Sequence, residues 1–274
     1  MPFTLSHPAA ALPFRSVLGS LGSASALVAG SMVPDLPYFV PLGIDGPESH
    51  SAAGILWFDL PAGIALWVIY AVLVRAFVLD LLPLGVLRRL DHPEGRPILA
   101  ARRLVAVAVS VVVGATTHVV WDAFTHASGA GVDLFPSLGT PVRVLDGYAP
   151  ETYTLLQLGS SLGGLVVLGI WAVRWYRRTP PRVEATPSRL PRAVRALALA
   201  AVLMPSAVTG LVIVRERLSV VGVDDLRLVQ QSIGQAIFSA GSVFLLMLVL
   251  TALALTAGRG TRWRSAVDSQ GRRA

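Results

Sequence analysis

The sequence predicts an all-α, polytopic transmembrane helix bundle: five spans plus an N-terminal re-entrant or sixth helix. Three observations carry that expectation. Of 274 residues, 54% are hydrophobic and only 14% are charged, against about 25% charged in an ordinary soluble domain. Mean hydropathy is +0.65. The apolar residues also gather into runs, at approximately 55–78, 104–124, 154–176, 194–214 and 233–256, each near the roughly 20 residues that a helix needs to cross about 30 Å of hydrocarbon.

Each run holds at most two Asp, Glu or Arg residues, and 233–256 holds none. A further stretch, approximately 9–30, is weaker because Pro13, Arg15 and repeated glycine and serine interrupt it. Such a segment suits a re-entrant or interfacial helix as well as a span. The organisation expected is one integral-membrane domain over 1–256, with the motif-bearing half at 1–165, and a disordered, arginine-rich cytoplasmic tail at 257–274.

The net charge is +7, yet the chain contains no lysine. Its arginines cluster between apolar runs and form no face interleaved with aromatics, which argues against nucleic acid as a partner. Arg88, Arg89, Arg96, Arg102 and Arg103 follow the first strong run, Arg174 to Arg195 flank the gap after the third, and Arg259 to Arg273 close the chain. By the positive-inside rule, 79–103, 177–193 and the C-terminus lie in the cytoplasm, and the basic tail touches anionic lipid headgroups. No basic stretch precedes an apolar one at the N-terminus, so the first residues, His7 among them, are expected to remain in the mature protein.

Cysteine is absent, so any metal must be held by nitrogen and oxygen. Four of the five histidines stand in suggestive company: Ser6-His7-Pro8, Ser49-His50-Ser51, and His118, Asp122 and His126 at successive four-residue steps. Asp35 joins them in Val33-Pro34-Asp35-Leu36-Pro37. Ionisable groups are expensive in an apolar background and mark function by default. His118 and Asp122, four apart, share a helix face and can grip one ion. His126 lies a further turn on and reaches the same ion only if the helix bends before Gly129. The expected metal ligands are His7, Asp35, His50, His118, Asp122 and His126. Asp59, Gln157, Ser160 and Ser161 are expected to hydrogen-bond to the ligating imidazoles. His92, among cytoplasmic arginines, reads as a solvated loop residue.

The predicted topology puts His50, His118, Asp122 and His126 at the outer interface. His7 and Asp35 can join them only if residues 9–30 dip into the membrane and return.

The opening Pro2-Phe3-Thr4-Leu5-Ser6-His7-Pro8-Ala9, the Pro34-Asp35 element, Ser49-His50-Ser51 and the His118 to His126 run together resemble DUF4184, a family of bacterial membrane proteins. That family is similar to the predicted inner-membrane metal-dependent hydrolases. The resemblance covers the N-terminal half and continues through Gln157-Leu158-Gly159-Ser160-Ser161, with Leu158 where some relatives are expected to carry a further histidine. It implies a multi-pass protein of the bacterial inner membrane with a bound metal.

A divalent ion on imidazole and carboxylate ligands, zinc first and manganese or iron as alternatives, supports hydrolysis by acidifying water and polarising a phosphoryl or carbonyl oxygen. The expected activity is that of a metal-dependent hydrolase with an outward-facing site, acting on phosphoester or lipid-linked envelope substrates. Glu48 or Asp35 is the expected general base. Two other classes fit the same residues: a transporter in which they line an ion path, and a scaffold in which they form a hydrogen-bonded structural core.

Overall fold

The computed structural model describes residues 4–90, 100–145, 148–182, 190–221 and 225–271. His92 lies outside the described residues. The described residues are predominantly helical. Apart from two isolated bridges, Pro141 with Glu151 and Leu145 with Tyr148, no β structure occurs among the described residues.

Five helices are long and apolar enough to cross a membrane: α2 (Ala52–Leu81), α3 (Ala101–Ala123), α4 (Thr152–Arg178), α5 (Arg192–Val221) and α6 (Leu226–Gly271, apolar over Leu226–Gly258). Each contains one of the five apolar runs. The backbone of the arginine-rich segment at 257–274 continues α6 as far as Gly271. Before α2, Phe14–Leu21 and Ala24–Phe39 form a pair bent by 119°, which would raise the number of spans to six if counted as one. α1 (Ala24–Met32) begins in this bent pair just after the turn, where the Ser23 hydroxyl accepts from the Ala26 N–H and caps it.

The chain divides into two compact units, Met1–Trp67 with Arg89–Pro180, and Val68–Arg88 with Pro181–Ala274. α2 contributes its first half to one and its second half to the other. In the second unit Phe77, Ala198, Val202 and Ala252 form an apolar core from α2, α5 and α6, flanked by Leu73, Leu81, Phe244, Leu248 and Leu255.

The first unit is built on α3. Its buried residues, Ala106, Val107, Ser110, Val111, Gly114, Ala115, His118 and Asp122, recur every three or four positions and form one stripe. Small residues occupy the stripe's middle, and α1 packs against it backbone to backbone. A Cβ at Gly30 would collide with the Val111 backbone, and one at Gly114 with Leu27 O and Ser31 N. Such close approach is the way small residues let helices associate in membranes. Ser110 Oγ fixes the register by accepting from Ser23 N at 2.9 Å and donating to Leu21 O at 3.1 Å. That register carries Ser31 to His118.

α2 is wound wide at Ile55–Asp59 and Tyr70–Val74. Pro61 has no N–H to continue the ladder, which accounts for the first widening. Wide turns of this type often accompany functional sites, and the first one holds Asp59.

Candidate metal centre

Three local structures deliver the four side chains of the candidate centre. Asp35 ends a short Val33–Asp35 turn enforced by Pro34 and Pro37. His50 follows the helical turn Gly46–Ser49, capped by the Asp45 carboxylate, which accepts from Glu48 N at 2.9 Å. Ser49 Oγ donates to Pro34 O at 2.8 Å and so ties the His50 loop to the Asp35 turn. His118 and Asp122 come from successive turns of α3.

Their donor atoms converge. His50 Nε2 and His118 Nε2 are 3.2 Å apart. Asp122 Oδ2 lies 3.4 Å from the first and 3.3 Å from the second. Asp35 Oδ1 lies 3.5 Å and 3.6 Å from the same two nitrogens. All four donors fall within 4.8 Å of one another. A tetrahedron whose centre lies about 2.0–2.2 Å from each donor, the range for zinc with imidazole and carboxylate, has edges of about 3.3–3.6 Å. The four carboxylate-to-imidazole separations, 3.3–3.6 Å, match such edges, and the imidazole pair at 3.2 Å is just inside them.

Hydrogen bonding leaves these atoms facing inward. His118 Nδ1 donates to Ser31 O at 2.7 Å and His50 Nδ1 donates to Gly46 O at 2.8 Å. Carbonyls only accept, so in the neutral ring both bonds put the proton on Nδ1 and the lone pair on Nε2. Backbone orientation of this kind is the usual outer support of metal-binding histidine. Thr4 Oγ1 donates to Asp35 Oδ2 at 2.6 Å, fixing the carboxylate and leaving Oδ1 for the centre. Asp35 Oδ1 and both oxygens of Asp122 are buried without a hydrogen-bond partner. Unpaired buried oxygens of this sort cost several kcal/mol unless a cation meets them. The residues therefore fit a divalent ion.

The remaining expected residues divide. His7 is buried and stacks on His118, with ring centroids 3.6 Å apart and planes 13° apart. Its Nε2 has no hydrogen-bond partner and stands 3.6 Å from Asp122 Oδ1, outside the set of four. His126 sits where α3 has ended at Ala123. Its Nδ1 reaches the Asp122 carbonyl at 3.1 Å and lies 3.6 Å from Asp122 Oδ2, while its Nε2 meets Gln157 Nε2 at 3.3 Å. With both nitrogens engaged, His126 is also outside the set of four. Gln157 thus meets an imidazole, but that of His126 and not of a ligand in the set of four. Ser160 Oγ instead accepts from Trp121 Nε1 at 3.1 Å and donates to Gln157 O at 3.2 Å. Asp59 is fully buried and neither of its oxygens has a hydrogen-bond partner, so it does not orient an imidazole. Glu48 is exposed beside His50, its carbonyl accepting from Ser51 Oγ at 2.8 Å.

Burial pulls the His50 imidazolium down, but the Asp122 and Asp35 carboxylates, 3.4 and 3.5 Å away, outweigh it and lift its pKa to about 9. Burial pushes His7 down to about 3, with the neighbouring His118 adding to the effect. Burial likewise lowers His126. At neutral pH, His7 is therefore a neutral base, while His50 holds a proton between two carboxylates.

Thr4, Ser31 and Gly46 support the centre without having been singled out in the sequence. Two of them act through backbone carbonyls, which have no residue-type signature, and Thr4 could have been suspected only from its place three residues before His7.

A family model described as Domain of unknown function (DUF4184) matches residues 1–253. Neither a curated protein nor a solved structure matches the chain.

Proposed function

The chain belongs to the DUF4184 family, and on that footing we propose that it is an integral-membrane metal-dependent hydrolase whose ion is held by Asp35, His50, His118 and Asp122. The observation that carries the reading is the convergence of four donors, three of which have their opposite atoms anchored: Nδ1 of each imidazole on a carbonyl, and Oδ2 of Asp35 on Thr4. An all nitrogen and oxygen set suits zinc, with manganese or iron as alternatives. A divalent ion in that position supplies a Lewis acid for a phosphoryl or carbonyl oxygen and lowers the pKa of water.

The chain's own residues supply the rest. His118 and Asp122 are fixed by α3. His50, on a short turn and partly exposed, is the most accessible of the four ligands. Glu48, exposed two residues before it, is positioned in sequence to take a proton from an incoming water. If Asp35 is drawn away from the ion by substrate, it becomes the second candidate base.

The substrate class follows from the surroundings. Trp57, Trp121, Phe124, Leu134 and Phe135, all in segments that lead to or from the ligands, are exposed, and aromatics of this kind gather at the membrane interface. A phosphoester on a lipid or lipid-linked envelope intermediate would meet the centre there. The arginine distribution supports a bacterial inner-membrane location with the centre facing outward and the C-terminus in the cytoplasm.

One observation favours an ion path: Asp59, buried and unpaired within α2. The path would need further polar steps. In the first unit the remaining turns of α2 to Trp67, α3 from Ala101 to Thr117 and α4 carry no carboxylate or imidazole, and Trp67 Nε1 is committed to Ser25 Oγ at 3.0 Å.

The test is turnover by detergent-purified protein of a panel of lipid-linked and soluble phosphoesters. The expected result is hydrolysis that a chelator abolishes, a divalent ion restores and His50→Ala lacks. Chelator-insensitive hydrolysis, or none across the panel with the ion bound, would overturn the hydrolase reading.

A further inference from the structure

We propose that Asp122 bridges two divalent cations, one in the set of four donors and a second held between Asp122 Oδ1 and His7 Nε2. The inference rests on the first ion of the preceding reading and adds a site beside it.

The two oxygens of Asp122 address different neighbours. Oδ2 faces His50 Nε2 and His118 Nε2, and Oδ1 faces His7 Nε2 at 3.6 Å. His7 and Asp122 are 3% and 4% exposed, and neither His7 Nε2 nor Asp122 Oδ1 has a hydrogen-bond partner. A buried imidazole nitrogen and a buried carboxylate oxygen that face each other without a hydrogen bond are unfavourable until something positive lies between them.

His7 cannot simply be a fifth ligand of the first ion, since its donor falls outside the group whose atoms lie within 4.8 Å of one another. It is offset by one ring thickness, stacked on the first ion's ligand His118 with centroids 3.6 Å apart. Cations that share a carboxylate bridge sit about 3.5–4 Å apart, which is that same offset.

The fold builds this position deliberately. Ser6, next to His7, rests on α4 at Gly164, where a Cβ would come within 2.9 Å of the Ser6 side chain. Thr4, three residues before His7, is anchored on Asp35. The turn that leads into His7 is thus held at two points. With only two protein donors, the second cation keeps most of its coordination for water or substrate oxygens, as suits an ion that receives a phosphate.

The test is manganese loading of the detergent-purified full chain, read by elemental analysis and electron paramagnetic resonance. The wild type is expected to bind two ions per chain with a spin-coupled signal. His7→Phe, which keeps the ring stack and removes the donor, is expected to bind one ion with an uncoupled signal, and that retained ion reports an intact first site. One uncoupled ion in the wild type would overturn the second site and leave the first reading standing. No ion in the wild type would overturn both. Two coupled ions retained in His7→Phe would overturn the role of His7. If His7→Phe binds none, His7→Gln is counted in the same way: one ion supports the bridge and two overturn it.

Discussion

His50 Nε2 and His118 Nε2 face each other at 3.2 Å across 68 residues of sequence, while the Nδ1 of each ring is bonded to a backbone carbonyl. Two imidazole lone pairs at that separation repel unless a proton or a cation sits between them. Asp35 and Asp122 close the remaining faces and favour positive charge at the centre. The arrangement suits either a proton or a metal ion at its centre.

Affinity for a divalent ion should therefore depend on pH with a definite sign. His50 holds its proton up to about 9 because the neighbouring Asp122 and Asp35 carboxylates outweigh the effect of burial. Below that value the ion must displace the proton, so apparent affinity should rise by up to about tenfold per pH unit. Above it the rise should level off. Zinc titrations of the purified protein between pH 6 and about pH 10 check this; affinity that is flat across the range would contradict it.

Thr4 supports the centre through one bond, from its hydroxyl to Asp35 Oδ2 at 2.6 Å. Thr4→Val keeps the shape and removes the donor. The expected loss in metal affinity is about 10–100-fold with the stoichiometry unchanged. Competition with a chelator of known affinity measures it.

The contact between α1 and α3 sets the position of the Ser31 carbonyl against His118. Gly30→Ala and Gly114→Ala would each place a methyl group against backbone and should destabilise the first unit by about 1–3 kcal/mol. Because the helices must separate, metal affinity should fall as well, although neither residue touches the ion. Thermal unfolding with and without zinc reads both effects. A variant with wild-type stability would show that the packing is looser than described.

Much of this was legible in the sequence. The five apolar runs lie inside the five long helices, because run length and hydropathy alone determine what can cross hydrocarbon. The pairing of His118 with Asp122 followed from helical periodicity. The bend between Leu21 and Ala24 was foreshadowed by glycine, serine and Pro13, and by the need to bring His7 beside Asp122. The position of His126 was harder to read because it depends on where α3 stops: the helix ends at Ala123, and His126 then turns back onto the Asp122 carbonyl instead of continuing the ligand face. The anchoring carbonyls of Ser31 and Gly46 had no signal, since any residue supplies a carbonyl and only tertiary packing selects which one. The division into two units was equally hidden, because α2 runs through both without a break in composition.

Glu48 is exposed and contributes its backbone to the turn before His50. If its carboxylate takes the proton from water, Glu48→Gln should lower kcat by about 10²–10⁴-fold and leave metal content unchanged. Unaltered turnover in Glu48→Gln would transfer the base role to Asp35.

The most direct measurement is zinc content per chain after chelation and reloading of detergent-purified protein, comparing the wild type with His50→Ala and His118→Ala. Stoichiometric zinc in the wild type, lost from both variants, is the predicted result and joins the loop after Gly46–Ser49 to α3 in one centre. A wild type that holds no metal under any loading condition, or variants that retain it in full, would contradict the metal centre itself.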